Sequence, residues 1–127
     1  MNSRIPREVL VVEDEPLVRI VATDAIADSG IMAWEAGDAA EALRALDEHP
    51  RIGLVVTDVK MPGHLDGLGL AEKVTDARPE MVVIITSGHV TVDAEELPER
   101  GSFLPKPYRT ERLVELVHRK LDGAERA

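Results

Sequence analysis

The chain has 127 residues, is 44% apolar and 31% charged, and contains no cysteine. That is enough for one globular domain with a single core, and it excludes disulfides, zinc–thiolate centres and thiol nucleophiles. The net charge of −9 offers no basic footprint for nucleic acid, and no apolar run reaches the roughly 18 residues that a membrane span needs.

Trp34, Tyr108 and Phe103 are the only aromatics, so the core must be built from Val, Leu, Ile and Ala. Residues 1–7 read as a polar N-terminal tail with no apolar signal core. Glu8–Val12 reads as a buried first strand running into Glu13-Asp14-Glu15-Pro16. Pro16 suits the first turn of a helix, because its missing N–H is an orphan there anyway. Leu17, Val18, Ile20, Val21, Ala25 and Ile26 then recur at helical spacing over Leu17–Ala27, and Gly30 follows at the stop. Ile31–Ala36 reads as a short second strand near an edge, with Trp34 as a packing residue. Gly37-Asp38 caps a helix over Ala39–Glu48, which Pro50 ends.

Ile52–Thr57 is the third strand, and it delivers Asp58. A Met61–Asp66 loop with Pro62 and Gly63 leads into a helix over Gly67–Ala77. Met81–Thr86 is the clearest buried strand, followed by Ser87-Gly88. Phe103-Leu104 is a short fifth strand before Pro105-Lys106-Pro107. A final helix runs over Thr110–Leu121, with Leu113, Val114, Leu116, Val117 and Leu121 on its inner side. Residues 8–122 form the domain, and 123–127 form a fraying tail.

Strands alternating with helices predict a parallel sheet covered on both faces. For five strands the flavodoxin-like order 2-1-3-4-5 is the leading choice. That order makes the first and third strands neighbours. It brings Glu13, Asp14, Asp58, Ser87 and Lys106 to one edge of the sheet, beyond the strand ends, where α/β proteins place their chemistry.

A carboxylate at the Asp58 position reads as a helix cap, a metal ligand or a nucleophile. Alone, Glu13-Asp14 also reads as a solvated turn, Ser87-Gly88 as a strand-end turn and Lys106 as a surface loop. Together they are more specific. Three adjacent carboxylates repel unless a cation or a proton neutralises them. Hard oxygens with open positions suit Mg2+. Lys106 supplies a point charge, Ser87 a hydroxyl, and Gly88 a close backbone approach. These are parts of a phosphoryl-transfer site.

With Val12-Glu13-Asp14-Glu15, Asp58-x-x-Met61-Pro62-Gly63, Asp66-Gly67, Ser87-Gly88 and Lys106-Pro107 in this order, the chain resembles a response-regulator receiver domain of two-component signalling. The resemblance covers about Val9 to Leu121. It implies that Asp58 accepts a phosphoryl group from a sensor histidine kinase or a histidine phosphotransfer protein. It implies Mg2+ held by Glu13 (through water), Asp14, Asp58 and the Lys60 backbone carbonyl. Ser87, Gly88, Lys106 and Val59 would bind phosphate, and Ser87 and Phe103 would be the switch residues. It also implies a cytoplasmic signalling protein that catalyses only its own phosphorylation and dephosphorylation. A downstream protein partner, homodimerisation on phosphorylation and a cis Lys106-Pro107 bond complete the expectation.

Two departures stand out. The loop before Gly67 is one residue longer than the common form, and of Thr86 and Ser87 the latter fits the switch position because a small residue follows it. The Gly88–Ser102 stretch is short, and Pro98 interrupts it, so a short or irregular fourth helix is expected. His89 reads as a loop histidine, and His49, His64 and His118 show no metal-ligand spacing. An Asp-nucleophile phosphohydrolase usually carries a second aspartate two residues on, where this chain has Lys60. A receiver-like module that binds without phosphorylation is the remaining alternative.

Overall fold

The computed structural model describes residues 7–88 and 92–126. The elements are β1 (Glu8–Val12), α1 (Pro16–Asp28), β2 (Ala33–Ala36), α2 (Ala39–Glu48), β3 (Ile52–Asp58), α3 (Gly67–Ala77), β4 (Val82–Ser87), a 3-10 turn (Ala94–Glu96), β5 (Gly101–Pro105) and α4 (Thr110–Arg126). The five strands form one parallel sheet in the order β2-β1-β3-β4-β5, as the alternation predicts.

Period-two alternation divides each strand between two cores. Leu10, Val12, Val55, Val83 and Ile85 face α2 and α3, where Ala42, Leu46, Leu70, Ala71 and Val74 are buried. Val9, Val11, Leu54, Val56, Val82 and Ile84 face α1 and α4, where Ala22, Ile26, Leu113, Val117 and Leu121 are buried. The central strands are covered on both sides, which is why β3 and β4 read as unbroken apolar runs.

The caps follow local chemistry. Asp38 and Asp66 accept hydrogen bonds from the N–H groups of Glu41 and Gly69, each at 2.8 Å, and so start α2 and α3. Gly30, with φ at 100°, follows the Ser29 cap of α1 in a conformation that favours glycine. Trp34 packs as expected of an edge residue: its ring stacks on His49 at 3.5 Å, and its Nε1 donates to Glu8 Oε1 at 2.9 Å.

Two expected boundaries need correction, and the buried face of one helix is settled. The last helix does not end at Leu121; it runs to Arg126, because nothing after Leu121 blocks the backbone and Gly123 lies in open space. In α1 the buried residues are Ala22, Thr23 and Ile26, whereas Leu17, Ile20 and Val21 are 74%, 44% and 54% exposed. β5 is longer than Phe103-Leu104, because its pairing with β4 extends from Gly101 to Pro105. Between β4 and β5 the described residues contain one 3-10 turn and no α-helix, in line with the irregular segment expected there. Val92 and Leu97 pack on the α2/α3-side core in its place. Residues 1–6 of the expected N-terminal tail, and His89, lie outside the described residues. No helix among the described residues is long and apolar enough to cross a membrane.

Candidate functional site

Adjacent strands end nearly level. Val12 pairs with Thr57, Asp58 with Thr86, and Ser87 with Pro105. The residues just beyond these pairs therefore meet. Glu13, Asp14 and Asp58 offer carboxylate oxygens that all lie within 4.8 Å of one another. Lys106 enters from the end of β5, behind a cis bond to Pro107. Its Nζ donates to Glu13 Oε1 at 2.7 Å and lies 3.4 Å from Asp58 Oδ2. The Glu13 and Asp58 side chains are only 6% and 12% exposed, and Asp14 is exposed to solvent.

Burial pushes the Glu13 carboxyl above its ordinary range, and the hydrogen bond from Lys106 offsets only part of that. Burial alone would lower Lys106, but Glu13 and Asp58 outweigh it and hold the ammonium above its ordinary range. Both directions describe one crowded site in which a single ammonium faces three carboxylates. The donor set is hard oxygen from three side chains, one of them open to water, which fits a divalent cation such as Mg2+.

The loop after Asp58 is braced from behind. Gly67 N–H donates to Val59 O at 2.7 Å. A Cβ on Gly67 would sit 1.9 Å from the Asp58 carbonyl oxygen, so only glycine lets α3 approach this closely. Gly63, with φ at 101°, turns the loop between them. Val59 N–H donates to Thr86 O at 3.0 Å, which carries the β3–β4 pairing past Asp58. Val59, expected among the phosphate ligands, therefore has both backbone groups engaged, and its side chain is buried.

An open cleft of about 1010 Å3 lies over the cluster. Glu13, Asp14, Asp58, Lys60, Gly88 and Lys106, all singled out from sequence, line it. Ser87 is buried immediately behind Gly88, on the sheet face of Ile85 and Phe103, and Thr86 falls on the opposite face by alternation. Phe103 is half-buried against the α2/α3-side core, opposite Ile85. His64 is exposed and does not line the cleft.

Two features of the cleft went unread in the sequence. Tyr108 forms part of its wall, and burial raises its hydroxyl pKa. Its position two residues after Lys106 was the available signal. Leu17, Val18 and Val21 form an apolar flank, and helical spacing alone does not say which face of α1 is buried.

A family model described as response regulator receiver domain matches residues 9–118. The chain belongs to this receiver family. Over 117 residues the receiver is 34% identical to the DNA-binding transcriptional regulator NtrC of Escherichia coli K12, covering 89% of this chain and 24% of that protein. The chain thus spans about a quarter of the length of the first curated relatives it matches. Among solved structures, the receiver domain of NtrX from Brucella abortus superposes with a TM-score of 0.78 at 32% identity, covering 91% of this chain and 98% of that one. A CheY-like receiver protein from Methanospirillum hungatei JF-1 gives 0.85 at 24% identity, covering 94% and 97%, which speaks for the fold alone. Receivers of this kind are signalling modules rather than conventional enzymes.

Proposed function

We propose that this receiver is a phospho-acceptor switch acting in the cytoplasm. Asp58 takes a phosphoryl group from a phosphohistidine on a sensor kinase or phosphotransfer protein. The observation that carries this reading is the convergence of Glu13, Asp14 and Asp58 within 4.8 Å around Lys106. A carboxylate oxygen of Asp58 attacks phosphorus. An O–P bond forms, the donor's N–P bond breaks, and the electron pair leaves on the imidazole nitrogen, which takes up a proton from solvent. Asp58 needs no base, because a carboxylate is already ionised at neutral pH.

Glu13, Asp14, Asp58 and the Lys60 carbonyl would hold Mg2+, which supplies charge neutralisation for the phosphoryl oxygens. Lys106 leaves Glu13 for a phosphoryl oxygen, and Gly88 N–H and Ser87 Oγ supply further donors. Movement of Ser87 toward phosphate opens space on the face it shares with Phe103, and the surface around β5 shifts between two states. A downstream protein reads that shift, alone or through a phosphorylated homodimer. The apolar flank formed by Leu17 and Val21 supports contact with the donor protein, since it borders the carboxylates directly.

The test is intact mass after incubation with a small acyl phosphate, with Mg2+ or with EDTA, on wild type and Asp58→Asn. The reading requires one added phosphoryl group in wild type with Mg2+ alone. Equal uptake by Asp58→Asn would refute it.

A further inference from the structure

Between Pro16 and Ala27, α1 carries one basic residue, Arg19. Its Nη1 donates to the Glu13 carbonyl oxygen at 2.8 Å, and its Nε donates to Glu35 Oε1 at 3.1 Å. The Arg19 side chain is only 22% exposed. A Cβ on Gly37 would lie 3.2 Å from Nη1, so the guanidinium packs closely over the β2–α2 turn. The carbonyl it holds belongs to the peptide that joins Glu13 to Asp14. The same loop is tied by Glu13 N–H to Ala36 O at 3.0 Å and by Glu15 N–H to Glu13 Oε2 at 3.1 Å.

We infer that Arg19 is a positioning residue for the cation site: by clamping the Glu13–Asp14 peptide it fixes where the exposed Asp14 carboxylate stands. Asp14 itself is exposed to solvent. An ion pair with one partner as open as Glu35 contributes little to global stability by itself. Its value lies in orienting a ligand, as groups behind a metal ligand do. The inference rests on the metal-dependent reading above.

Electrostatics and positioning predict opposite signs. Removing a cation beside an acidic site should tighten Mg2+ binding, whereas removing the clamp should weaken it. Calorimetric titration of Mg2+ into wild type, Arg19→Ala and Arg19→Lys separates the two. The clamp predicts a dissociation constant raised roughly tenfold in Arg19→Ala, the low end for such orienting groups. Arg19→Lys, with one donor in reach, should fall between. Amide exchange of metal-free protein gives an independent reading: Glu15 N–H should exchange faster in Arg19→Ala, with the urea midpoint little changed. Unaltered or tighter Mg2+ binding in Arg19→Ala, or unaltered Glu15 exchange, overturns the inference. If wild type itself takes up no Mg2+, the metal reading falls separately, and Glu15 exchange still decides whether Arg19 holds the loop.

Discussion

Lys106 Nζ is closer to Glu13 than to Asp58: 2.7 Å to Glu13 Oε1 against 3.4 Å to Asp58 Oδ2. On the proposed reading, Glu13 holds the lysine until a phosphoryl oxygen arrives. Lys106→Met should keep the fold and accept a phosphoryl group slowly, but it should fail to transmit the event. Amide exchange around Phe103, compared before and after phosphorylation, checks this. The change seen in wild type should shrink at least several-fold in the variant, because the charge-assisted bond that would draw β5 inward is gone.

Stability should depend on pH in a way set by this pair. Glu13 has its folded pKa raised above the ordinary 4.5, so its contribution is fully present below that value and is lost as pH rises through the raised one. Lys106 is also raised, so its contribution is present below 10.5 and is lost as pH rises through the higher folded value. Urea unfolding in EDTA across this range tests both signs. Glu13→Gln should gain on wild type as pH rises from about 4 to about 8, and the deficit of Lys106→Met should shrink above about 10.5. Opposite slopes would contradict the assignment.

Gly67→Ala should be costly for its size. The added methyl would meet the Asp58 carbonyl oxygen and carbon at 1.9 and 2.7 Å, both backbone atoms that cannot rotate away. Overpacking of this kind costs about 1–3 kcal/mol, sometimes more. Urea unfolding gives the loss, and the rate of phosphoryl uptake should fall with it, because the displaced atoms belong to Asp58. Gly123→Ala, at a glycine with open space around it, is the control.

The exposed flank of α1 should separate donor recognition from chemistry. Leu17 is 74% exposed and lines the cleft, so Leu17→Asp should change stability by no more than about 0.5 kcal/mol. Uptake from a small acyl phosphate should be unchanged. Transfer from a phosphorylated histidine kinase that labels wild type should drop by about tenfold, the equivalent of roughly 1.4 kcal/mol of lost contact. Equal losses with both donors would place Leu17 in the chemistry instead.

Much of this was readable in the sequence. β3 and β4 were legible because burial on both faces leaves no polar interruption, and the strand order followed from alternation and crossover handedness. Once that order is known, the meeting of Glu13, Asp14, Asp58 and Lys106 follows without side-chain detail. The orientation of α1 was not legible. Its inner face is made of Ala22, Thr23 and Ile26, while Leu17, Val18 and Val21 line the cleft. Periodicity detects an apolar stripe but not what covers it. Nor could spacing reveal that the Val59 amide serves the sheet, since that depends on how far β3 and β4 stay paired. Arg19 was invisible for a similar reason: a side chain bonding a backbone carbonyl on the preceding loop leaves no motif.

The most direct measurement is the position of the phosphoryl group. Wild type would be incubated with an acyl phosphate and Mg2+, the acyl phosphate reduced with borohydride, and the modified peptide sequenced by mass spectrometry. One modified residue, Asp58, is expected, with no modification in EDTA. Modification at another carboxylate, or none in folded protein that binds Mg2+ and meets a competent kinase, would contradict it.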